Sequence, residues 1–264
     1  MPQITVAGRN VNYTDTGGSG TPVLLLHAFP LSSAMWEPQI ESLGERFRFI
    51  APDLTGFGSS DAPSDGYSMS TWAEEVKGLL DELGLDKVVL AGLSMGGYLA
   101  FECLRRFPER FSGLVLADTK AGADPPEGIE KRTKQQGMVR DGQRDELIGA
   151  LVGALLGEPT IAKKPDVVDK VRGLMDNPAD GFIGALEAMK GRPDSTGELA
   201  SINVPTLIIV GENDGVTPPE ASRQMHEHIA GSRLVVIPEA GHLSNLEAPE
   251  AFNGALAEFL GDLE

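Results

Sequence analysis

Cysteine is nearly missing from this chain. Cys103 stands alone, which excludes an intramolecular disulfide and any metal site built on several thiolates. It falls inside YLAFECLRRF, an apolar helical pattern, so a buried and inert thiol is expected. Basic residues are also scarce: 22 Lys and Arg face 39 Asp and Glu, a formal net charge of −17. Nucleic acids and anionic membrane surfaces bind clustered Lys and Arg, so neither is expected as a partner, and the acidity reads as a solubility feature. Long apolar runs are absent too. No stretch approaches 18 consecutive apolar residues, and MPQITVAGRNVNYTD has no basic segment leading into an apolar one. Neither a membrane span nor a signal peptide is expected, and the expected location is cytoplasmic.

What is present is an alternation. At 264 residues, 41% hydrophobic and 23% charged, the chain suits one large globular domain or one carrying an inserted lobe. ITVAG and VNYTDTG read as a hairpin pair. PVLLLH (22–27), RFIAPD (48–53), KVVLAG (87–92) and GLVLAD (113–118) read as buried parallel strands. PTLIIVG (205–211) and RLVVIPE (233–238) continue the series. Helical patterns lie between them, at Thr71–Leu83 (with Thr71 and Glu74 as a capping box), 95–107, 219–230 and 248–260. This predicts an α/β fold with about eight strands, mostly parallel and flanked by helices. The stretch from about 123 to 199 has no convincing strand and several helical pieces, at 129–140, 144–156, 166–175 and 180–190. It reads as an inserted helical lobe (123–199) on a core made of 1–122 and 200–264.

Gly92-Leu93-Ser94-Met95-Gly96 fits G-x-S-x-G at the junction of a buried strand and an apolar helix. Small flanking residues let a sharply turned serine approach neighbouring backbone, and the helix start offers free N–H groups beside Ser94. Ser94 is therefore the candidate nucleophile. A serine hydroxyl needs a base, and the chain has four histidines. His226 and His228 lie on a polar helical pattern and are expected to face solvent. His27 ends a strand, where a structural hydrogen bond is the expected role. His242 leaves the strand LVVIPE through Ala-Gly into a loop at a carboxyl end, where α/β sheets gather their sites. It is the candidate base. Asp214, in the loop after PTLIIVG, is the candidate acid that orients it, with Glu212 and Asp118 as rivals. A tetrahedral oxyanion needs two donors. Met95 N–H and Phe29 N–H are the candidates, since Pro30 has none. Phe29, Leu31, Met95 and the inserted lobe are candidates for the acyl pocket, and His27 is carried beside Leu31 as a pocket candidate.

These segments resemble the α/β-hydrolase superfamily over essentially the whole chain. LLLHAFPLSSAMW resembles its His-Gly-Phe-Pro loop, APDLTGFGSSDAP its Asp-x-x-Gly-x-Gly-x-Ser loop, and GLSMGGY its nucleophile turn. GENDGVTPP and IPEAGH resemble its acid and base loops. ADTKAGADPPEG and MKGRPDSTGELASINVPTLIIVG are similar to small bacterial carboxylesterases and 3-oxoadipate enol-lactonases. The resemblance implies a helical cap between the sixth and seventh strands and an ester- or lactone-cleaving enzyme. It implies no metal or organic cofactor, a small-molecule substrate, and a monomer or small homo-oligomer. A serine nucleophile sets the chain apart from the dehalogenase and epoxide hydrolase branches. The leading expectation is a serine carboxylesterase for short to medium acyl esters. A lactonase is the alternative, with Lys120, Lys190 or Arg192 meeting an anionic substrate. Perhydrolysis is an expected side activity, and a ligand receptor without turnover is the reading from another class. Two residues depart from the pattern. Ala28 replaces a usual glycine and would strain the loop if its φ were positive, and Thr55 stands where relatives often carry Arg.

Overall fold

The computed structural model describes residues 2–62 and 66–264; Pro63, the last residue of the quoted APDLTGFGSSDAP stretch, lies outside them. The hairpin forms as expected, with β1 (Gln3–Val6) antiparallel to β2 (Arg9–Asp15). The strands β3 (Pro22–Leu26), β4 (Arg48–Pro52), β5 (Val88–Leu93), β6 (Phe111–Ala117), β7 (Thr206–Gly211) and β8 (Arg233–Ile237) complete an eight-stranded sheet. Its order is β1-β2-β4-β3-β5-β6-β7-β8, and every pairing from β4 to β8 is parallel. The Val- and Leu-rich central strands β5 and β7 are buried along their whole length, as strands covered on both faces must be. β8 differs: although RLVVI reads as a buried run, it is the edge strand and only Ile237 is fully buried.

The helices α1 (Glu37–Leu43), α2 (Met69–Glu82), α3 (Met95–Arg106), α9 (Pro219–His228), α10 (Ser244–Glu247) and α11 (Pro249–Gly261) accompany the sheet. Between β6 and β7 the chain forms α4 (Pro126–Arg140), α5 (Arg144–Leu155), α6 (Glu158–Lys163), α7 (Pro165–Leu174) and α8 (Ala179–Lys190). Prolines at the first positions of α4, α7, α9 and α11 set where these helices begin. The ring fixes φ, and the missing N–H is one the first turn leaves free anyway. This is why α4 starts at Pro126 and not at residue 129, where the apolar periodicity begins. The capping box at the start of α2 is also shifted from expectation. Ser68 is the N-cap and accepts from Thr71 N, while Thr71 Oγ1 accepts from Ser68 N, both at 3.0 Å. Glu74 lies one turn too far along to cap and pairs with Arg106.

The turn from β5 into α3 is a close junction of backbone on backbone. A Cβ on Gly92 would overlap the Gly96 carbonyl, and one on Gly96 would overlap the Leu26 carbonyl of β3. The α3 N-terminus can therefore lie directly on the sheet. Gly96→Ala is expected to destabilise the protein by about 1–3 kcal/mol through this overlap. Gly137→Ala, in α4 with no atom within 4 Å of the new Cβ, is expected to stabilise by about 0.5–1 kcal/mol. Urea unfolding of both variants checks the pair.

Candidate active site

Ser94 sits at φ 54° between β5 and α3, a conformation that a non-glycine residue adopts only when its surroundings hold it there. The surroundings are Ala117 O, which accepts from Ser94 N at 2.9 Å, and Thr119 Oγ1, which donates to Ser94 O at 2.8 Å. Asp214 follows β7 and His242 follows β8, two neighbouring strands, and the loops touch: Asn213 N donates to Ala240 O at 2.8 Å. The three side chains meet in one line. His242 Nδ1 lies 2.8 Å from Asp214 Oδ2, and His242 Nε2 lies 2.8 Å from Ser94 Oγ. With the Nδ1–H donating to Asp214, Nε2 is left to accept the Ser94 hydroxyl.

The electrostatics keep this arrangement polarised. Burial disfavours a charged His242, but the charge and hydrogen bond of Asp214, with Asp118 and Glu247 adding, hold its pKa above the ordinary value. Burial pushes Asp214 upward. His242, together with the Thr217 backbone and hydroxyl, outweighs that and holds its carboxyl below the usual range. Thr217 Oγ1 donates to Asp214 Oδ2 at 2.7 Å, and the N–H groups of Val216 and Thr217 donate to Oδ1 at 2.8 and 2.9 Å. The rivals for the acid position are placed elsewhere. Glu212 is exposed and accepts from Glu239 N at 3.2 Å. Asp118 is fully buried, but its oxygens accept from Gly211 N (2.8 Å) and Ser244 Oγ (2.6 Å). Burial, then the Asp214 charge, push Asp118 up to about 8.

Ser94 and His242 line a cavity of about 240 Å³, with Phe29, Tyr98, Lys120, Leu151, Leu155 and Met189 among its walls. Among the described residues, neither Phe29 N nor Met95 N donates to an acceptor. Two pocket expectations are corrected. Leu31 is fully buried in the core and does not reach the cavity. His27 is fully buried too: its Nε2 accepts from Leu54 N at 3.1 Å and its Nδ1 lies 3.0 Å from Ala28 O. Burial holds its pKa below the ordinary value, so it is a neutral brace between two loops. The Met95 side chain is likewise buried away from the cavity. Ala28 is not among the residues with positive φ, so the loop carries no strain there. Thr55 donates its N–H to Glu75 Oε1 at 3.1 Å; nothing in the structure explains the missing Arg.

Of the three basic residues singled out, only Lys120 lines the cavity. Lys190 pairs with Glu187 at 2.8 Å, and Arg192 lies behind Tyr98, 4.0 Å from its ring centre. His226 and His228 are exposed, and Cys103 is buried, with burial pushing its thiol pKa up. Sequence reading missed Tyr98 and Thr217. Both had a signal: Tyr98 is one helical turn beyond Ser94, and Thr217 is three residues beyond Asp214, within reach of a local side-chain bond. The walls supplied by α4, α5 and α8 carried no comparable signal.

The fold is shared with known proteins. The model of the "Alpha/beta hydrolase family" matches residues 23–255. A malate-bound thermophilic esterase from Thermogutta terrifontis is 40% identical, with a TM-score of 0.94 over 99% of this chain and 98% of that one. The enol-lactonase from Burkholderia xenovorans is 28% identical, with a TM-score of 0.91 over 98% of this chain and all of that one. The 3-oxoadipate enol-lactonase 2 of Acinetobacter baylyi is 29% identical over 93% of this chain and 91% of its own. With most of its length matched by the family model and its sheet and junction glycines accounted for, this chain belongs to the alpha/beta hydrolase family.

Proposed function

We propose that this hydrolase is a serine carboxylesterase that forms an acyl-enzyme on Ser94. The observation that carries the reading is the unbroken line from Asp214 through His242 to Ser94, 2.8 Å at each step, opening into a cavity. As Ser94 Oγ attacks the ester carbonyl, His242 Nε2 takes its proton and Asp214 stabilises the imidazolium. The oxyanion that forms receives the free N–H groups of Met95 and Phe29, each such donor contributing about 100- to 1000-fold in rate. Collapse breaks the ester C–O bond, and His242 returns the proton to the leaving alkoxide. Water then enters, gives its proton to His242 and attacks the acyl carbon, which releases the acid and restores Ser94. At about 240 Å³ the cavity is below the usual drug-sized range of about 300–1,000 Å³, which suits short to medium acyl groups. Residues 123–199 are read as the cap on a core of 1–122 and 200–264, because α4, α5 and α8 wall the cavity above core residues Phe29, Ser94 and His242.

A second reading has its own observation. Asp124, nearly buried at the cavity wall, is met by three cations: Lys120 at 3.5 Å, Arg192 at 2.9 Å, and Arg132. One carboxylate against three cations leaves this wall positive in a chain of net charge −17. Such a wall favours esters or lactones that carry a carboxylate, in keeping with the enol-lactonase neighbours and with the dicarboxylate bound to the Thermogutta terrifontis esterase.

Ser94→Ala is expected to lower kcat/KM for p-nitrophenyl acetate by at least about 10,000-fold; activity retained in the mutant would refute the nucleophile. Because the attacking base is neutral His242, kcat/KM should rise with pH through a midpoint above the ordinary histidine value of about 6.5. Asp214→Asn should move that midpoint to lower pH and cut kcat by roughly 1,000- to 10,000-fold, read from pH–rate profiles. Lys120→Ala should reduce kcat/KM for 3-oxoadipate enol-lactone by about 10-fold, the loss of a single charge contact, and leave p-nitrophenyl acetate unchanged. Equal losses on both substrates would reject the charged-substrate reading.

A further inference from the structure

The loop that carries His242 is fastened at four successive N–H groups. Gly241 N and Leu243 N both donate to Glu247 Oε1, at 2.9 and 3.2 Å. His242 N donates to Leu155 O at 2.8 Å, and Ser244 N to Asp118 Oδ2 at 3.2 Å. The other oxygen of Glu247, Oε2, accepts from Gly157 N at 2.8 Å, in the turn between α5 and α6. Glu247 is 1% exposed. Three backbone donors converge on its two oxygens, and an apolar residue of the same size would leave them unpaired.

This places one buried side chain across two parts of the molecule that meet the substrate. On one side is the base. On the other is α5, whose Leu151, Ala154 and Leu155 line the cavity and whose last carbonyl holds His242 N. We propose that Glu247 is a positioning residue that clamps the His242 loop to the α5–α6 turn, so that the base and the cavity wall move as one unit. The proposal rests on the esterase reading above. The clamp also has an electrostatic side. The acidic groups around His242 are Asp214, Asp118 and Glu247, and a negative charge on any of them favours its protonated form. Lys164 donates to the Glu247 backbone carbonyl at 2.7 Å.

The test measures the rate at which a fluorophosphonate labels Ser94, alongside kcat, KM and the pH profile for p-nitrophenyl acetate. Glu247→Gln is expected to slow labelling and lower kcat by about 10- to 100-fold, the effect of a displaced catalytic group, with KM within about 2-fold. Its acid limb should move to lower pH, because one negative charge facing His242 is gone. Glu247→Asp keeps the charge but is too short to span the three donors. It should lose kcat with the acid limb unmoved. Labelling of Glu247→Gln within about 2-fold of wild type, or a loss that only follows the folded fraction by circular dichroism with no shift of the limb, overturns the proposal. If Glu247→Gln does not fold, Gly157→Ala decides. Its new Cβ lies 3.0 Å from Gly241 N and 3.3 Å from Glu247 Oε2, pressing on the clamp with the charge retained. Slower labelling at full folded content supports the clamp, and a wild-type rate rejects it. Wild-type protein that is not labelled at Ser94 overturns the esterase reading and the clamp together. Wild-type labelling with no change in the variants overturns the clamp alone.

Discussion

The imidazole of His242 lies between two oxygens, 2.8 Å from each, and much of the architecture serves to hold it there. Three of the loops around it leave the carboxyl ends of β5, β7 and β8, which with β6 are consecutive neighbours in a parallel sheet. Parallel strands put all their carboxyl ends on one edge, so residues 94, 214 and 242 converge although they are far apart in the chain. The remaining constraint is local. Ser94 must point into the cavity from a turn at φ 54°, and the glycines at 92 and 96 make room for it.

Bringing acids and a base into a dry space has a cost, and the site distributes it unevenly. Asp214 is surrounded by donors, including Thr217, and stays in the charged form. Asp118, which makes no hydrogen bond to the imidazole, is pushed up to about 8 by burial and by the Asp214 charge. The two carboxyl groups are thus shifted in opposite directions, and the one held in the charged form is the one that faces the imidazole.

The sheet, the flanking helices and the line of three side chains were legible because their signals are short-range. Val- and Leu-rich runs specify buried strands, and a serine between glycines at a strand end specifies a turn. Asp and His just beyond later strands place themselves by the topology alone. Leu31 and His27 fall outside the cavity because nearness in sequence to Phe29 says nothing about which face a side chain takes; both turn into the core, His27 in the structural hydrogen-bonding role also expected of it. Ala28 would be strained only at a positive φ, and the backbone does not adopt one there. The cavity wall was hard to read for a different reason. It is assembled from α4, α5 and α8, whose relative placement depends on packing between distant segments, as in the contact of Arg192 with Tyr98 and Asp124. Glu247, in SNLEAPE, has no mark in the sequence that sets it apart from a surface acid; its three backbone donors do.

The central claim is that ester cleavage passes through Ser94. Rapid acid quenching of the reaction with p-nitrophenyl acetate, followed by peptide mass mapping, tests it most directly. The account predicts an acetyl group on the peptide that contains Ser94 during turnover. Acetyl on a different residue, or full turnover with no acylated protein at any quench time, would contradict it.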